Sequence, residues 1–485
     1  MKIDVSIADI LLLSPFWSLF LISLIPITAK VLRGNQEQKS QVTLSQGLIG
    51  ILISAGLLLV FAGHGKPAFG GLLIFDGLTL WMGLVALLAS GLSLILMHEN
   101  PATSGNQFSE LVFLTLSSVL GILVLISAND LLMTFIGLET MSLALYLMIA
   151  MSHEQKLAKE AALKYFVLGS FASAVFLYGI ALIFGTAETT NLIGIIEKLP
   201  NLMESSKLFL FGITFVVLGL CFKVSIFPFH AWTPDVYEGA PTPHTAFMAT
   251  AVKVASFAAF LRVIAMGPLG HSENLFVILQ WLAVLTMLVG NVAAILQNQM
   301  KRVLAYSSIA HSGYLLVGVI AAGSSDHGAF AGSSVIFYLF SYSLMTLGAF
   351  AIINMLEKDE NSKVSVDDLA GLAQRRPVLA LCLTVFLLSL AGIPPSLGFF
   401  GKFYLFNAAI GEGLLWLAIW GVINSVISVY YYLRPIVLMY MIEGKNDIAV
   451  RSHRGTTIVA IVSAVVILLF GLMSGPLFNA LEQGL

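Results

Sequence analysis

Five ionisable residues lie inside long apolar stretches of the 485-residue sequence, where surface charges are not expected: Glu139, Lys164, Lys223, Lys253 and Lys402. A lysine or glutamate at the centre of a membrane helix costs about 2.5–3.5 kcal/mol on insertion scales, so such residues almost always face a bundle interior or a hydrated cavity. Their charge there depends on how close their neighbours are. Groups whose protonation responds to neighbouring charges suit a proton relay, and this is the chemistry that we predict for them.

Two of the lysines lie beside predicted helix breaks. Lys223 precedes Pro228, and Lys402 follows the pair Pro394-Pro395. Proline removes a backbone donor and clashes with the preceding turn, so each span should be interrupted near its middle. A broken helix exposes carbonyl and amide groups that can hold water or an ion. Two interrupted segments, five predicted spans apart, point to an inverted repeat with functional sites at the breaks.

Three further residues are weaker relay candidates. His230 follows the first break, and Ser307 and His311 stand four residues apart in an otherwise apolar helix. Ser308 and Ser312 repeat that spacing alongside, which gives one polar stripe. A hydrogen-bond network that only packs helices explains the stripe equally well.

The deep charges suggest an order of transfer. We hypothesise that Lys223 exchanges protons with the cytoplasm and yields them when Glu139 moves or is neutralised. Lys253 would then pass protons to Lys402, which would release them outward. Lys164, nearer the cytoplasmic end of its span, lies at the input. The simpler alternatives are lysines that snorkel to the interface and an isolated Glu139–Lys223 ion pair that only orders the bundle.

The elements that hold these charges must be membrane helices. Hydrophobic residues make up 58% of the chain and charged residues only 10%, whereas soluble chains carry about 25% charged residues. This composition excludes a soluble enzyme, a disordered chain and a nucleic-acid-binding protein, so the expected surroundings are a lipid bilayer. Cys221 and Cys382 show no Cys-x-x-Cys spacing, and we expect this chain alone to bind no metal, cluster or other cofactor.

The fold class that we predict is an all-α polytopic membrane protein of about fourteen transmembrane helices. A bilayer core of about 30 Å needs about 20 apolar residues as helix, and the apolar runs are too long and non-alternating for a barrel. The windows centre near Phe20, Ile53, Leu87, Leu120, Glu139, Phe171, Phe215, Val254, Val284, Val317, Leu344, Leu387, Val422 and Val465.

The basic residues predict the orientation. With fourteen spans, one set of loops holds Lys30, Arg33, Lys39, Lys156, Lys159, Lys301, Arg302, Lys358, Lys363, Arg375, Arg376, Lys445, Arg451 and Arg454. The opposite side, with both termini, holds Lys2, Lys66, Lys198, Lys207 and Arg262. The positive-inside rule then places both termini outside the cytoplasm.

One motif resembles a known family. Residues 221–243 read Cys-Phe-Lys-Val-Ser-Ile-Phe-Pro-Phe-His-Ala-Trp-Thr-Pro-Asp-Val-Tyr-Glu-Gly-Ala-Pro-Thr-Pro. This stretch closely resembles the signature of the antiporter-like membrane subunits of bacterial respiratory complex I. Within it, residues 232–241 are most similar to the sequence of the N-type branch. Supporting segments are 135–139, 164–170, 301–309 and 391–395 with Lys402. The M-type branch usually has a glutamate where this chain has Lys402. The resemblance runs from about residue 70 to 440.

The resemblance implies two inverted five-helix repeats that contain broken helices. The implied units are three N-terminal helices in 1–107, a first repeat in 108–265, an inverted second repeat in 266–440 and a last helix in 441–485. It assigns Glu139 and Lys223 as a charge pair, Lys164 as an input-side modulator, Lys253 as the central relay and Lys402 as the terminal one.

The resemblance also implies the setting. The chain would be a multi-pass subunit of the bacterial inner membrane, with M-type and K-type subunits among its neighbours. It would move protons to the periplasm while partner subunits, with FMN, iron–sulfur clusters and quinone, oxidise NADH and reduce quinone. The rival hypothesis is a subunit of a multi-subunit monovalent cation/proton antiporter without redox partners.

Overall fold

The computed structural model describes residues 7–103, 105, 107–152, 156–265, 273–323, 328–357, 359, 362–444 and 454–485. Its α-helices in the first half are α1 Ile7–Leu12, α2 Ser14–Leu32, α3 Ser40–Phe61, α4 Gly77–Glu99, α5 Phe108–Ser127, α6 Leu131–Ala150, α7 Lys156–Ala187, α8 Leu192–Ser205, α9 Lys207–Lys223, α10 Trp232–Gly239, α11 Thr242–Phe247 and α12 Lys253–Ala265, with a π-helical turn Met248–Val252 between the last two.

The second half continues with α13 Glu273–Ile295, α14 Met300–Gly323, α15 Gly328–Leu356, a 3-10 turn Asp367–Leu369, α16 Leu372–Arg375, α17 Pro377–Ala391, α18 Leu397–Gly411, α19 Leu415–Met441, α20 Arg454–Leu472 and α21 Ser474–Gly484. A small antiparallel hairpin, β1 Lys66–Ala68 and β2 Leu73–Phe75, precedes α4. The sequence analysis did not predict this hairpin or the amphipathic helix α8.

Each of the fourteen predicted windows coincides with a helix, which confirms the all-α membrane fold. Within the described ranges, twelve helical segments are long and apolar enough to cross a membrane. The two windows outside that set fall on α9, with 17 residues, and α17, with 15 residues. These are the first halves of the two spans that were predicted to be interrupted.

Both predicted breaks are present. Helix α9 ends at Lys223, and residues 224–231 separate it from α10. Helix α17 ends at Ala391, where Gly392 adopts the left-handed conformation with φ of 85°. Residues 392–396, which include Pro394 and Pro395, then separate it from α18. The breaks follow from the absence of proline amide donors in each segment.

The centre of the molecule is formed by α14, α15 and the segment from α11 to α12, whose apolar windows are almost wholly buried. The outer helices α2, α3, α7, α19 and α20 expose large apolar side chains such as Leu52, Phe171 and Val426, as expected for surfaces that face lipid. The central helices therefore hold Lys253 and the Ser307–His311 stripe in the most deeply buried part of the bundle.

Glycines allow equivalent helix pairs in the two halves to pack closely. A Cβ atom on Gly137 of α6 would lie 2.6 Å from the amide nitrogen of Leu125 in α5. A Cβ atom on Gly290 of α13 would lie 2.6 Å from the amide nitrogen of Ala310 in α14. Small residues at such interfaces let backbones approach. The two pairs occupy matching places in the two expected five-helix units.

The expected place of Arg262 in a loop was wrong. Arg262 lies in α12, buried, and its guanidinium binds the Asp76 carboxylate at 2.7 and 2.9 Å. Its apolar neighbours in the sequence gave no indication of a carboxylate 186 residues away. Of the other basic residues used for orientation, Lys2, Lys358, Lys445 and Arg451 lie outside the described ranges.

Candidate functional site

Lys223 lies at the C-terminal end of α9, immediately before the first break, and is buried. Its Nζ donates to Ser142 Oγ of α6 at 2.6 Å. The ammonium also lies 5.7 Å from the ring centre of Tyr146 and 5.4 Å from that of Tyr165, within range of a cation–π interaction. The break thus ends the helix where its last side chain points into the bundle.

Lys253 lies in the middle of the span that starts with α11 and directly follows the π-helical turn. Its Nζ donates to the carbonyl oxygen of Ser308 at 2.7 Å and to Ser308 Oγ at 2.5 Å. The ring of Tyr342 lies 4.8 Å from the ammonium. Single π-turns inside helices occur frequently at functional sites, and here the turn precedes a buried amine.

Lys402 lies in α18, after the second break, and reaches back to the end of α17. Its Nζ donates to the carbonyl oxygens of Leu390 and Ala391, both at 3.0 Å, and to Ser425 Oγ at 2.9 Å. The ring of Tyr314 lies 4.9 Å away. The carbonyls that a broken helix leaves without intrahelical donors are therefore the ones that hold this ammonium.

The three lysines share one environment. Each is at most 5% exposed, donates to a serine hydroxyl and lies against a tyrosine ring. Within the described part of the chain, none of the three has a carboxylate at ion-pair distance. A charge buried without a counter-ion is costly. An ion-paired amine loses its attraction to the carboxylate when it gives up its proton. An amine without a counter-ion has no such attraction to lose, so its deprotonation costs less free energy.

Glu139 lies near the middle of α6, half-buried, and accepts a short hydrogen bond from Ser173 of α7. No ion pair joins it to Lys223 within the described residues, because Ser142, one turn further along α6, takes the ammonium instead. The isolated ion pair that was considered as an alternative is absent from this arrangement. Glu139 is one turn of α6 from Ser142, the hydroxyl partner of Lys223.

Lys164 differs from the other lysines. Its side chain is 41% exposed and pairs with Glu160 at 2.7 Å and with Asp235 of α10 at 2.9 Å. Lys164 was expected to lie nearer the cytoplasmic end of its span, and it is the most exposed of the four lysines. Arg302 of α14 joins the same carboxylate at 3.1 Å, so Lys164 is part of a charge network at the predicted input side.

The polar stripe of α14 is joined into one hydrogen-bonded group. His311 Nδ1 lies 2.6 Å from Tyr338 Oη, and its Nε2 lies 3.0 Å from Tyr432 Oη. Ser307 Oγ and Tyr432 Oη also share a short hydrogen bond. Three helices, α14, α15 and α19, therefore contribute to this group.

His311 lies between the environments of two lysines. Its ring centre is 5.0 Å from that of Tyr342, which covers Lys253. It is 5.6 Å from that of Tyr314, which covers Lys402. The structure thus brings the stripe to the place where a link between the central and terminal lysines would be needed.

His230 is not brought into this group. It is half-buried on the segment after the first break, and its ring stacks on Phe227 at 5.6 Å. Among the described residues its Nδ1 has no hydrogen-bond partner, and no contact links it to a buried lysine.

The serine and tyrosine partners of the lysines were not predicted from the sequence. For α6 a signal existed, since Glu139, Ser142 and Tyr146 are spaced so that they share one helix face. For Ser425 no signal existed, because α18 and α19 meet the end of α17 only in the folded bundle. Asp235 stood inside the motif that was recognised, yet nothing local to it predicted its pairing with Lys164.

The described residues contain no group of three or more His, Cys, Asp or Glu side chains placed to hold a metal ion. The site is built from amines, hydroxyls, the imidazole of His311, the carboxylates that pair with Lys164 and the Glu139 carboxylate in α6. These groups can accept, hold and release protons.

Comparisons with known proteins agree on one family. The profile described as "NADH:quinone oxidoreductase/Mrp antiporter, TM" matches residues 128–428. NADH-quinone oxidoreductase subunit N of Bdellovibrio bacteriovorus is 66% identical over 485 residues, which cover 100% of both chains.

Two solved structures share the fold. A chain of respiratory complex I from Thermus thermophilus is 32% identical, with a TM-score of 0.82 over 96% of this chain and 99% of that chain. A chain of the Mrp complex from Dietzia has a TM-score of 0.84 over 99% and 97% of the two chains, but at 19% identity it shows the fold alone. The profile covers subunits of both NADH:quinone oxidoreductase and the Mrp antiporter. The assignment to the first class therefore depends on the full-length relative.

Proposed function

The chain belongs to the subunit N family of NADH-quinone oxidoreductase, and from that premise we propose how its buried charges move protons. It is a proton-pumping subunit of the membrane arm of respiratory complex I. We assign the transfer to a relay of Lys223, Lys253 and Lys402, controlled by Glu139. NADH oxidation and quinone reduction, with FMN, iron–sulfur clusters and quinone, take place in other subunits.

The observation that carries the proposal is the environment shared by the three lysines. Each amine has a hydroxyl partner and an aromatic face but no described carboxylate at ion-pair distance. In such a site the hydrogen bonds and the cation–π contact stabilise the charged ammonium. The neutral amine is also acceptable there, because its deprotonation leaves no buried carboxylate without a partner. A group that is tolerated in both states can load and unload a proton repeatedly.

Uptake begins at the cytoplasmic side, where Lys164 is held by Asp235. Lys223 takes the proton next, and Glu139 sets how strongly it is held. Ser142, which holds the Lys223 ammonium, lies one turn of α6 from Glu139, so a change in the charge of Glu139 acts on Lys223 over that distance. Glu139 lies beside the exposed apolar residues Ile136 and Leu143, and this face of α6 suits contact with a neighbouring membrane-arm subunit.

The step from Lys223 to Lys253 crosses a wall of aromatic rings. Tyr165 stacks on Trp232 at 4.8 Å, and Trp232 meets Tyr237 edge-on at 6.3 Å. The described side chains form no continuous hydrogen-bonded path across this wall, so water molecules must carry the proton there. This makes hydration of the centre a control point.

The step from Lys253 to Lys402 passes the group around His311. An imidazole can accept a proton at one nitrogen and release one from the other. Ser307 supports the same group through Tyr432. Lys402, beside the break between α17 and α18, then releases protons to the periplasmic side.

The proposal also includes the boundaries of the repeats, the membrane in which the chain lies and its neighbouring subunits. Residues 108–265 and 266–440 form the two inverted five-helix units, flanked by 1–107 and 441–485. The chain lies in the bacterial inner membrane with both termini in the periplasm, beside M-type and K-type subunits. The matched glycine pairs and the two equivalent breaks support these assignments.

The test uses the assembled complex in proteoliposomes with Lys253→Met, which keeps the apolar stem and removes the amine. We expect NADH-driven proton pumping to fall at least about 10-fold, because the variant lacks the amine that accepts and releases the proton. Lys207→Met, at an exposed lysine at the start of α9, is the matched control and should pump normally. Pumping by Lys253→Met at the control rate would disprove the relay.

A further inference from the structure

A cavity opens on the predicted cytoplasmic side, next to the Lys164 network. It has a volume of about 300 Å³ and lies where the cytoplasmic ends of α4, α14 and α15 meet the start of α11. Asn100, Thr242, Lys301 and Glu357 are among the residues that line it. The relay proposed above uses none of them.

Glu357 is the buried carboxylate that lines this cavity. The residue follows α15 directly and is 6% exposed. Its carboxylate accepts from Asn100 Nδ2 of α4 at 3.1 Å and, through a short hydrogen bond, from the hydroxyl of Thr242. The nearby Lys301 ammonium donates instead to the carbonyl oxygen of Ala240 at 2.6 Å. Within the described residues Glu357 therefore has no ion-pair partner.

The charges around Glu357 come from several elements. Burial raises the pKa of the Glu357 carboxyl above its usual range, while Lys301, Thr242 and Asn100 act in the opposite direction. A carboxyl in this balance exchanges protons nearer neutral pH than an exposed one. The other charged residues that line the cavity are Lys156 of α7, Glu238 of α10, and Asp359 and Lys363 of the segment after α15.

Thr242, which donates to Glu357, begins the helical segment that leads from the cavity to Lys253. This residue begins α11, and two positions further His244 is buried with neither ring nitrogen hydrogen-bonded to a described residue. The π-helical turn follows, and both it and α11 pack along α15, whose Tyr342 covers Lys253. From Thr242 to Lys253 the helix rises about 16 Å at 1.5 Å per residue.

We propose that Glu357 is a second proton-uptake residue, which supplies Lys253 through His244 without passing Lys223. A proton from cytoplasmic water binds the Glu357 carboxylate and then moves, through water beside Thr242, to one nitrogen of the neutral imidazole. The imidazolium releases a proton from its other nitrogen, which reaches the neutral amine of Lys253. Each step moves one proton between a base and an acid, so no oxidant or reductant is needed. The inference rests on the proposed role of Lys253.

The experiment uses Glu357→Gln in the assembled complex in proteoliposomes. The amide keeps an acceptor for Thr242 but cannot titrate. We expect NADH-driven proton pumping to fall about two-fold, because uptake through Lys223 continues, and Glu357→Asp to restore it. Glu443→Gln removes an exposed carboxylate on the same side and should pump as the unaltered complex does.

His244→Gln gives an independent readout that leaves the contacts of Glu357 intact. We expect the same two-fold loss, and a double variant with Glu357→Gln that is no worse than either single one, because both act on one path. If the losses multiply, or if both single variants pump normally while Lys253→Met does not, the second uptake path is wrong. If Lys253→Met also pumps normally, the proposed function itself is wrong.

If Glu357→Gln lowers the amount of assembled complex, Glu357 is a structural contact, and normal pumping by His244→Gln would then overturn the inference. The amount of this subunit that co-purifies with the complex measures assembly independently of proton transfer. A two-fold pumping loss in His244→Gln at an unchanged amount of assembled complex supports it.

Discussion

Removing either partner of the buried Arg262–Asp76 pair should destabilise the chain, and the two removals should differ in size. Arg262 also donates from Nε to the carbonyl oxygen of Ile126 at 2.6 Å and from Nη2 to Thr79 Oγ1 at 2.7 Å. Asp76 in turn caps α4 by accepting from the amide of Thr79 at 2.9 Å. The pair thereby fixes the end of α12 to the start of α4 and the end of α5.

The magnitudes follow from burial. The Arg262 side chain is 1% exposed and that of Asp76 is 20% exposed. Asp76→Ala leaves a fully buried guanidinium without its counter-ion, which costs about 3–5 kcal/mol, and removes a helix cap worth about 1 kcal/mol. Arg262→Met leaves a carboxylate that water reaches and that still caps α4, so we expect a smaller cost of about 2–3 kcal/mol.

The assay heats the purified complex in mild detergent and measures the fraction of this subunit that stays folded, by its resistance to trypsin. The midpoint should fall most for Asp76→Ala and less for Arg262→Met. The double variant should be more stable than Asp76→Ala, because no buried charge is left unpaired. Asp367→Asn, whose carboxylate is 63% exposed in its pair with Arg434, is the control and should shift the midpoint little.

The pH dependence gives a second check. Burial by itself would raise the pKa of the Asp76 carboxyl, but the charge and hydrogen bonds of Arg262 outweigh it and lower the pKa. The stabilisation is therefore present above the ordinary carboxyl range and is lost as pH falls through the lowered folded-state pKa. Equal midpoints for the two single variants, or a double variant that shows the sum of both losses, would refute the reasoning.

Two further predictions concern packing and the input network. Gly137→Ala places a Cβ atom 2.6 Å from the backbone of Leu125, and this overpacking should lower the free energy of unfolding by about 1–3 kcal/mol. The control is Gly185→Ala, which has open space around the new Cβ atom and should leave the thermal midpoint unchanged or raise it. Asp235→Asn removes a carboxylate that holds Lys164, and pumping in proteoliposomes should slow by about 2-fold to 10-fold; an unchanged rate would place this network outside proton uptake.

The helices and the buried lysines could be predicted from the sequence because both depend on local properties. A span is fixed by about 20 apolar residues in a row, and a break by prolines such as Pro228 and Pro394. A lysine inside a span is unusual by itself, so Lys223, Lys253 and Lys402 were found without knowing their neighbours. The pairing of Lys164 with Asp235 and of Arg262 with Asp76 could not be predicted in this way, because these carboxylates come from other elements.

The sequence by itself determined that the chain crosses the membrane many times, that two spans are interrupted and that a few amines lie in apolar surroundings. Only the tertiary structure decided what each amine contacts. Lys402 meets Ser425 and the last carbonyls of α17, and Glu357 meets Thr242 and Asn100, because separate helices bring these groups together. Apolarity is a property of each segment, whereas a hydrogen bond between distant residues depends on how the segments pack.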